Sequence, residues 1–211
     1  MTAHDHDRTA APMVDEITDF EVLEIALREL CIEKGIFTAE EHRLFTEFAE
    51  QIGPTPAAHL VARAWISPEF KKLALADPLA ASKEVGVDWL QPTGFGTPSD
   101  FTALQVLEDT PTLHHVIVCT LCSCYPVSLL GPSPGWYKSF AYRSRTVREP
   151  RAVLAEFGVT LRETARISVW DSTSEARYMV LPARPAGTEL LSAGQLAALV
   201  TRNGLIGTAL V

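Results

Sequence analysis

The sequence predicts an α+β fold in which a helical N-terminal arm is followed by a layered α/β sandwich body that carries a cysteine-rich loop. Three observations lead to this prediction. Helix-capping signatures are concentrated in the first half of the chain, and short strand-type runs are concentrated in the second half. Between them lies a stretch rich in proline and glycine, which is typical of a connection.

The chain of 211 residues accordingly divides into four predicted parts. Residues 1–17 are polar and are expected to form a flexible tail. The helical arm occupies residues 18–86, and the connector occupies residues 87–111. Residues 112–211 are expected to form the α+β domain, which holds the side chains best suited to chemistry.

Capping residues and helix-ending glycines predict four helices in the arm. Thr18 with Glu21 and Thr38 with Glu41 are capping boxes, and Ser67 begins a further helix. The predicted helices cover residues 18–34, 38–52 and 57–65, with a fourth at Phe70-Lys71-Lys72. Apolar residues in and between the first two helices are expected to serve chiefly for packing: Leu23, Ile25, Leu27, Leu30, Phe37, Phe45 and Phe48.

Short apolar runs predict three strands in the body, and capping residues predict two helices. The strands are placed at residues 114–119, 166–171 and 176–181. The helices are placed near residues 150–157 and 192–200.

Composition excludes several classes of protein. The formal net charge of −8 disfavours a general nucleic-acid binder, and no apolar run is long enough to span a membrane. The first residues lack the apolar stretch of a secretory signal. Four cysteines, three of them clustered, are typical of a reducing compartment, so we expect a cytoplasmic location.

The strongest chemical signal is the run Cys119-Thr120-Leu121-Cys122-Ser123-Cys124, which we call the cysteine loop. Three thiols so close together are typical of a soft-metal site. The fourth cysteine, Cys31, is expected to be a buried inert thiol on a helix. His4 and His6 are expected to belong to the flexible tail rather than to a metal site.

The number of ligands leaves two kinds of metal site open. A structural zinc site needs a fourth soft ligand, and the sequence has no second cysteine cluster. His114 and His115 precede the loop, but only an awkward geometry would bring them to it. One alternative is therefore a zinc or iron–sulfur structural site. The other is a catalytic Co(III) or Fe(III) ion, which also binds the amide nitrogens of Ser123 and Cys124 and keeps one coordination position open.

The cysteine loop resembles the metal claw of the nitrile hydratase family. Thr120 and Tyr125 resemble its cobalt-type members, whereas iron-type members typically carry Ser and Thr there. The resemblance covers about residues 20–208, and over these residues the chain is similar to the catalytic α subunits of the family. The other stretches that carry it are Tyr142-Arg143-Ser144-Arg145, Val147-Arg148-Glu149-Pro150-Arg151, Trp170-Asp171-Ser172, Leu181-Pro182, Arg184-Pro185-Ala186-Gly187-Thr188, Val200-Thr201-Arg202 and Ile206-Gly207.

Within this family the chain resembles the three-subunit branch, which includes toyocamycin nitrile hydratase and thiocyanate hydrolase. Segments similar to the thiocyanate hydrolase γ subunit are Ala11-Pro12-Met13-Val14, Asp19-Phe20-Glu21, Ile32-Glu33-Lys34-Gly35 and Phe95-Gly96-Thr97-Pro98-Ser99-Asp100. The excess of arginine over lysine and the abundant alanine favour the nitrile-hydrating branch. The resemblance thus implies a lyase that hydrates a nitrile, toyocamycin among the candidates, to the amide. The alternatives are hydrolysis of thiocyanate to carbonyl sulfide and ammonia, and, ranked lower, a non-enzymatic metal or redox protein with three cysteine ligands.

The resemblance also implies roles for single residues. One Co(III) ion per chain is held by Cys119, Cys122, Cys124 and the amide nitrogens of Ser123 and Cys124. On maturation Cys122 becomes a sulfinate and Cys124 a sulfenate. The Cys124 oxygen, or a water that it orients, attacks the nitrile carbon that the metal polarises. Tyr125, beside the third ligand, is expected to line the substrate pocket.

The resemblance further implies that the chain works with other proteins. A β-type subunit, with a third subunit in this branch, supplies two arginines to the oxidised cysteines, and an activator protein inserts the cobalt. The arm wraps the companion subunit, so the isolated chain is expected to be poorly active. The alternative for the arm is a helical subdomain packed on its own core.

Two groups of residues keep open roles at this point. The arginines at positions 143, 145, 148 and 151 suit either a subunit interface, which we favour, or a solvated face. Trp136 and Tyr137 either line the substrate pocket or pack in the core.

Overall fold

The computed structural model describes residues 19–51, 53–86, 103–122 and 124–211, except for the side chains of residues 19–21 and 48–51. This part of the chain mixes helices with small sheets, which confirms the α+β class. The predicted sandwich layering and domain bounds stay predictions. The helices are α1 (Asp19–Glu33), α2 (Ala39–Gln51), α3 (Thr55–Ile66), α4 (Pro68–Ala76), α5 (Pro78–Glu84), α6 (Val127–Leu130), α7 (Gly135–Lys138), α8 (Phe140–Thr146), α9 (Pro150–Glu156), α10 (Ala193–Ala197) and α11 (Arg202–Ile206). The strands are β1 (Ala103–Glu108), β2 (Leu113–Val118), β3 (Arg166–Asp171) and β4 (Ala176–Leu181).

Two small parallel sheets form the centre of the body. β1 pairs with β4, and β2 pairs with β3. Parallel neighbours need long crossover connections, and the segment between β2 and β3 carries the helices α6 to α9. Val118 pairs with Asp171 at the carboxyl end of the second sheet. The cysteine loop therefore leaves the sheet directly beside the end of β3.

One hydrophobic core joins both sheets to the helices α3 to α5. Leu60 of α3 and Phe70 of α4 belong to the same buried cluster as Ile117 of β2 and Leu181 of β4. Fully burying a side chain of this kind stabilises the fold by about 2 kcal/mol. Helices α3 to α5 thus pack as part of the body, although the sequence assigns them to the arm.

Helices α1 and α2 expose most of their described apolar side chains. Leu23 is 63% exposed and Leu27 is 62% exposed. Phe37 is half-buried, and the side chain of Phe48 lies outside the described residues. Leu23, Ile25, Leu27, Leu30 and Phe45 therefore do not pack in this chain's own core, and their packing against a companion subunit stays a prediction. Helical periodicity identifies an apolar face, but it does not say what covers that face.

Local signals for helix ends agree with the structure. The Thr38 N–H donates to Glu41 Oε2 at 2.7 Å, and the Glu41 N–H donates to Thr38 Oγ1 at 3.1 Å, which is the predicted capping box. Ser67 caps α4 with its hydroxyl. Gly35 follows α1 with a φ of 67°, as expected for a helix-ending glycine. The predicted start at Thr18 lies outside the described residues. Every described helix is too short or too polar to cross a membrane.

Secondary structure differs from the prediction in three ways. Residues 103–108 of the predicted connector form β1, in which Leu104 is buried. The strand was not predicted because the prolines and glycines near it are typical of loops. The predicted helix at 192–200 is two helices, since α10 ends at Ala197 and Thr201 caps α11. Helices α5, α6, α7 and α8 are missed because each is only four to seven residues long.

A buried charge pair fixes the N-terminal end of β2. His114 Nδ1 lies 2.9 Å from Asp109 Oδ2, and His114 Nε2 lies 2.7 Å from the Gly207 carbonyl oxygen. Both ring nitrogens face acceptors, so both must carry protons, and the ring is an imidazolium. His115 joins the cluster with its Nδ1 at 3.0 Å from Asp109 Oδ1.

Burial and charge act in opposite directions on this pair. Burial lowers the pKa of His114, but the hydrogen bond and charge of Asp109, with the Gly207 carbonyl, raise it overall above its ordinary value. Burial raises the pKa of Asp109, but the hydrogen bonds and charge of the histidines lower it overall below its ordinary value. Each partner therefore favours the charged form of the other.

Gly207 brings the C-terminal segment into contact with β2. Its φ is 89°, which side chains with a Cβ rarely adopt. A Cβ at this position would also collide with the carbonyl oxygen of His115. The position thus requires glycine for two independent reasons.

Candidate metal centre

The three cysteines of the loop come together at the carboxyl end of β2. Cys119 Sγ lies 3.5 Å from Cys122 Sγ, which in turn lies 3.2 Å from Cys124 Sγ. All three sulfur atoms lie within 4.8 Å of one another, and none forms a disulfide. Such a set of clustered thiols fits a metal ion that prefers sulfur ligands.

The three thiols differ in their exposure to solvent. Cys119 directly follows β2 and is fully buried in the main hydrophobic core. Cys122 is exposed, and Cys124 is half-buried. One potential ligand is thus anchored in the body, whereas the second is open to solvent.

The protein surroundings alone favour a protonated thiol at the third cysteine. Burial raises the pKa of Cys124 to about 12, and its hydrogen bond with Cys122 adds to this effect. The positive charge of Arg177 acts in the opposite direction. A bound cation reverses the balance, because a thiol that coordinates a metal is deprotonated. The three thiols can therefore bind a cation as thiolates.

The first part of the loop is held from two sides through its backbone. Asp171, at the end of β3, accepts hydrogen bonds from the Thr120 N–H at 2.8 Å and from the Thr120 hydroxyl at 2.5 Å. Arg143, on α8, donates from Nε to the Cys119 carbonyl at 3.1 Å and from Nη2 to the Thr120 carbonyl at 2.8 Å. Two separate elements therefore fix the Cys119–Thr120 unit.

The last part of the loop rests on buried aromatic rings. Tyr137 of α7 is fully buried and donates from its hydroxyl to the Cys124 carbonyl at 3.0 Å. Burial raises the pKa of Tyr137, so the phenol stays protonated and remains a donor. Trp136 is buried as well. The pair whose role was open therefore belongs to the core, and Tyr137 also holds the loop.

The four arginines of unassigned role bind different partners within the chain. Arg143 binds the cysteine loop. Arg145 forms ion pairs with two glutamates, whereas Arg148 and Arg151 donate to backbone carbonyls. The structure thus gives Arg143 a role inside the chain that the sequence does not predict. An interface role for the other three stays a prediction.

The predicted roles of two residues beside the cysteines, Ser123 and Tyr125, are not tested by the structure. Ser123 lies outside the described residues, so its amide nitrogen as a ligand stays a prediction. Tyr125 is 6% exposed and packs edge-on against Tyr137, with ring centroids 5.2 Å apart. Its predicted role in a substrate pocket therefore also stays a prediction.

The remaining metal-ligand candidates lie away from the loop. Cys31 is half-buried on α1, not buried as predicted, and it joins no group of potential ligands in the described part of the chain. His114 and His115 contact Asp109 at the opposite end of β2, which agrees with the expectation that they do not reach the loop. His4 and His6 lie outside the described residues.

No sequence pattern indicates that Arg143 and Asp171 hold the loop: the sequence assigns Arg143 to a subunit interface or a solvated face, and it assigns no role to Asp171. Both lie in stretches that carry the family resemblance. Their contacts with Thr120 join positions 23 and 51 residues apart, which no local pattern predicts. Parallel pairing of the strands before and after the crossover would have placed Asp171 beside the loop, because the carboxyl ends of parallel strands share one edge.

Comparison with known proteins defines the class of this protein. A family model described as nitrile hydratase, alpha chain, matches residues 18–209. The match covers nearly the whole chain, so the protein belongs to the nitrile hydratase α-chain family. The predicted resemblance is confirmed.

Individual relatives are similar over most of their length. The chain is 57% identical over 201 residues to the thiocyanate hydrolase subunit gamma of Thiobacillus thioparus, covering 94% of this chain and 83% of that protein. It is 44% identical over 208 residues to the low-molecular weight cobalt-containing nitrile hydratase subunit alpha of Rhodococcus rhodochrous, covering 98% and 95%. A solved structure of recombinant thiocyanate hydrolase comprising partially-modified cobalt centers matches with a TM-score of 0.78 and 57% identity, covering 92% of this chain and 90% of that one.

Proposed function

We propose that this chain is the metal-bearing catalytic subunit of an enzyme that adds water to the carbon of a C≡N group. The observation that carries the proposal is the cluster of three thiols, none of them in a disulfide, at the end of β2 in a member of the nitrile hydratase α-chain family. Thiocyanate is the first candidate substrate, because the relative with 57% identity is a thiocyanate hydrolase subunit.

Organic nitriles are the second candidate class of substrate. The family model and the cobalt-containing relative from Rhodococcus rhodochrous support it. Both classes present a linear C≡N group, so the same site chemistry serves either. Water and a nitrile give an amide, whereas two waters and thiocyanate give carbonyl sulfide, ammonia and hydroxide.

The cysteine loop is the proposed ligand set. Cys119, Cys122 and Cys124 supply the sulfur atoms, and the amide nitrogens of Ser123 and Cys124 complete the set. Cobalt is the proposed ion, since relatives of this chain are cobalt-containing. When bound, it supplies a Lewis acid that polarises the C≡N group.

Differences in burial support a specific pattern of cysteine oxidation. Oxidation of a thiol requires access for the oxidant. Cys119 is fully buried, whereas Cys122 is exposed and Cys124 is half-buried. We therefore expect an external oxidant such as dioxygen to convert Cys122 to a sulfinate and Cys124 to a sulfenate, while Cys119 remains a thiolate.

The chain's own residues then divide the reaction between them. The Cys124 sulfenate oxygen attacks the substrate carbon or orients the water that does so. Tyr137 keeps the Cys124 backbone in place through its hydroxyl. Tyr125, next to Cys124, is the proposed wall of the substrate pocket.

The proposed enzyme needs at least one partner subunit. Both relatives are, by name, single subunits of larger enzymes. The exposed apolar side chains of α1 and α2 support the proposal that the arm binds a β-type subunit, with a third subunit in this branch. That partner supplies arginines to the oxidised cysteines, and an activator protein supplies the cobalt. The isolated chain is expected to be poorly active.

Substrate assays on the assembled complex test the proposal. The chain is produced with its partner subunits and cobalt, and ammonia release from thiocyanate and amide formation from simple nitriles and toyocamycin are measured. We expect activity toward at least one of these classes, and its loss in Cys119→Ser. Cys31→Ser is the matched control, because Cys31 lies on α1 outside the sulfur cluster.

Two results would contradict the proposal. One is a cobalt-loaded complex that acts on neither class, which would favour a non-enzymatic metal or redox protein. The other is a Cys119→Ser variant with the activity of Cys31→Ser.

A further inference from the structure

We propose that Arg143 is a positioning residue that holds the Cys119–Thr120 backbone in the shape required to bind and retain the metal. The inference rests on the proposed function and extends it to a residue that is not itself a ligand. It concerns the backbone of the loop, and it does not depend on which substrate the enzyme uses.

The contact suits the shape of the arginine side chain. Arg143 spans two consecutive carbonyls, with Nε at 3.1 Å from the Cys119 oxygen and Nη2 at 2.8 Å from the Thr120 oxygen. A guanidinium is planar and offers donors in a fixed fork, so it fixes the direction of both carbonyls together. A lysine ammonium is a single point and lacks this geometry.

The guanidinium and a carboxylate act on the same short segment. Asp171 binds the N–H and the hydroxyl of Thr120, while Arg143 binds its carbonyl. Thr120 is thus fixed through three of its polar atoms. The Cys122 N–H donates a hydrogen bond to Cys119 Sγ at 3.3 Å. The orientation of the Cys119 side chain is therefore coupled to the turn that follows it.

Neighbouring arginines do not share this arrangement. Arg145, two positions along α8, forms ion pairs with Glu149 and Glu156. Arg148 donates to the Ser144 carbonyl and is exposed. Among the residues that the structure describes, no carboxylate forms an ion pair with Arg143, so its donors are directed at the loop rather than at an acid.

Removing the fork should weaken metal binding more than it weakens the fold. The two carbonyls would lose the donors that fix the Cys119–Thr120 unit, and Cys119 would sample orientations that do not suit coordination. Residues that orient metal ligands typically change metal affinity by about 10- to 100-fold when they are mutated. We expect an effect in this range for Arg143→Gln.

The test compares three variants of the full chain in complex with its partner subunits. Co(II) is titrated anaerobically against a competing chelator, and the sulfur-to-cobalt absorption band is recorded. We expect the apparent affinity for cobalt to fall about 10- to 100-fold in Arg143→Gln. Arg143→Lys should fall less, because it keeps the charge but not the fork. Arg148→Gln, a matched loss of charge, should bind as the unaltered chain does.

Thermal unfolding of the metal-free proteins separates positioning from general destabilisation. We expect Arg143→Lys and Arg148→Gln to melt alike without metal and to differ with metal. The inference is overturned if both Arg143 variants bind cobalt as tightly as Arg148→Gln, or if weaker binding is matched by equal loss of metal-free stability. If the complex with the unaltered chain binds cobalt and this binding depends on Arg143, but the complex acts on no C≡N substrate, only the proposed function is contradicted. If the complex with the unaltered chain binds no cobalt, both the proposed function and the role of Arg143 are overturned.

Discussion

The two ends of β2 differ in the contacts that hold them in place. At its N-terminal end, His114 and Asp109 form a buried ion pair that also contacts the C-terminal segment through Gly207. At its carboxyl end, the strand runs into a loop whose thiols are partly exposed and whose fixed contacts reach mainly the backbone. One end is thus anchored by side-chain charge, and the other leaves its side chains available.

This difference shows how a small sheet can support a reactive loop. Removing one partner of a buried ion pair leaves the other charge unpaired and lowers the free energy of unfolding by several kcal/mol, so the intact pair fixes the strand in the body. The loop is held mainly through carbonyls and amides, and its three sulfur atoms lie together where they can bind one metal ion. Variants at the N-terminal end should therefore change the stability of the fold, and variants at the carboxyl end should change metal binding.

The largest expected effect on the fold is that of Gly207→Ala. The added Cβ would collide with the His115 carbonyl and would occupy a backbone conformation with a φ of 89°. We expect a loss of about 4 kcal/mol or more in the free energy of unfolding, measured by chemical denaturation of the metal-free chain. Gly158→Ala is the control, because its φ is 79° but no atom lies within 4 Å of the added carbon. It should cost only about 1 kcal/mol. Equal losses in the two variants would show that the close approach at β2 is unimportant.

The next largest effect is that of His114→Gln. Removing the imidazolium leaves Asp109 as a buried carboxylate without its charged partner, which should cost about 3 kcal/mol of unfolding free energy. The control His59→Gln alters an exposed histidine on α3 and should stay within about 0.5 kcal/mol. The cobalt affinity of the folded His114→Gln protein should remain unchanged. A loss of cobalt affinity larger than that of Arg143→Gln would break the division between the two ends.

The stability difference between the unaltered chain and His114→Gln should depend on pH. The pKa of His114 is raised in the folded chain, so its contribution is fully present below the ordinary value of 6.5 and is lost as the pH rises through the folded value. The pKa of Asp109 is lowered, so its contribution is present above the ordinary value of 3.8 and is lost as the pH falls through the folded value. The stability gap between the unaltered chain and His114→Gln should therefore be greatest between these two values. A gap that is constant from acidic to alkaline pH would contradict the ion pair.

The smallest effect on the fold is expected in the arm, which provides a reference for both ends of β2. Leu27→Glu alters a side chain that is 62% exposed on α1, so the stability of the chain should change by less than about 0.5 kcal/mol. Its affinity for the proposed partner subunit should fall about tenfold or more, because the apolar face is the proposed contact. Glu33→Gln, also exposed on α1, is the control and should leave assembly unchanged. Normal assembly of Leu27→Glu would exclude this face from the interface.

The sequence predicted features that depend on neighbours close in the chain. The three cysteines lie within six residues, so their spacing alone indicates a metal site. The capping box of Thr38 and Glu41 was predictable because both of its hydrogen bonds are local.

Features that depend on distant contacts were not predicted. The roles of Arg143 and Asp171 arise only when α8 and β3 are brought beside the loop. The exposure of Leu23 was likewise missed, because the sequence identifies an apolar face without identifying its neighbour. The strand β1 was missed because it adjoins a stretch whose prolines and glycines are typical of loops.

The most direct test of the metal centre is peptide mass spectrometry of the cysteine loop in the partner-bound, cobalt-loaded protein. We predict two added oxygen atoms on Cys122, one on Cys124 and none on the buried Cys119, with one cobalt ion per chain. A cobalt-loaded complex in which Cys122 and Cys124 both remain unoxidised would contradict the catalytic assignment of this end of β2.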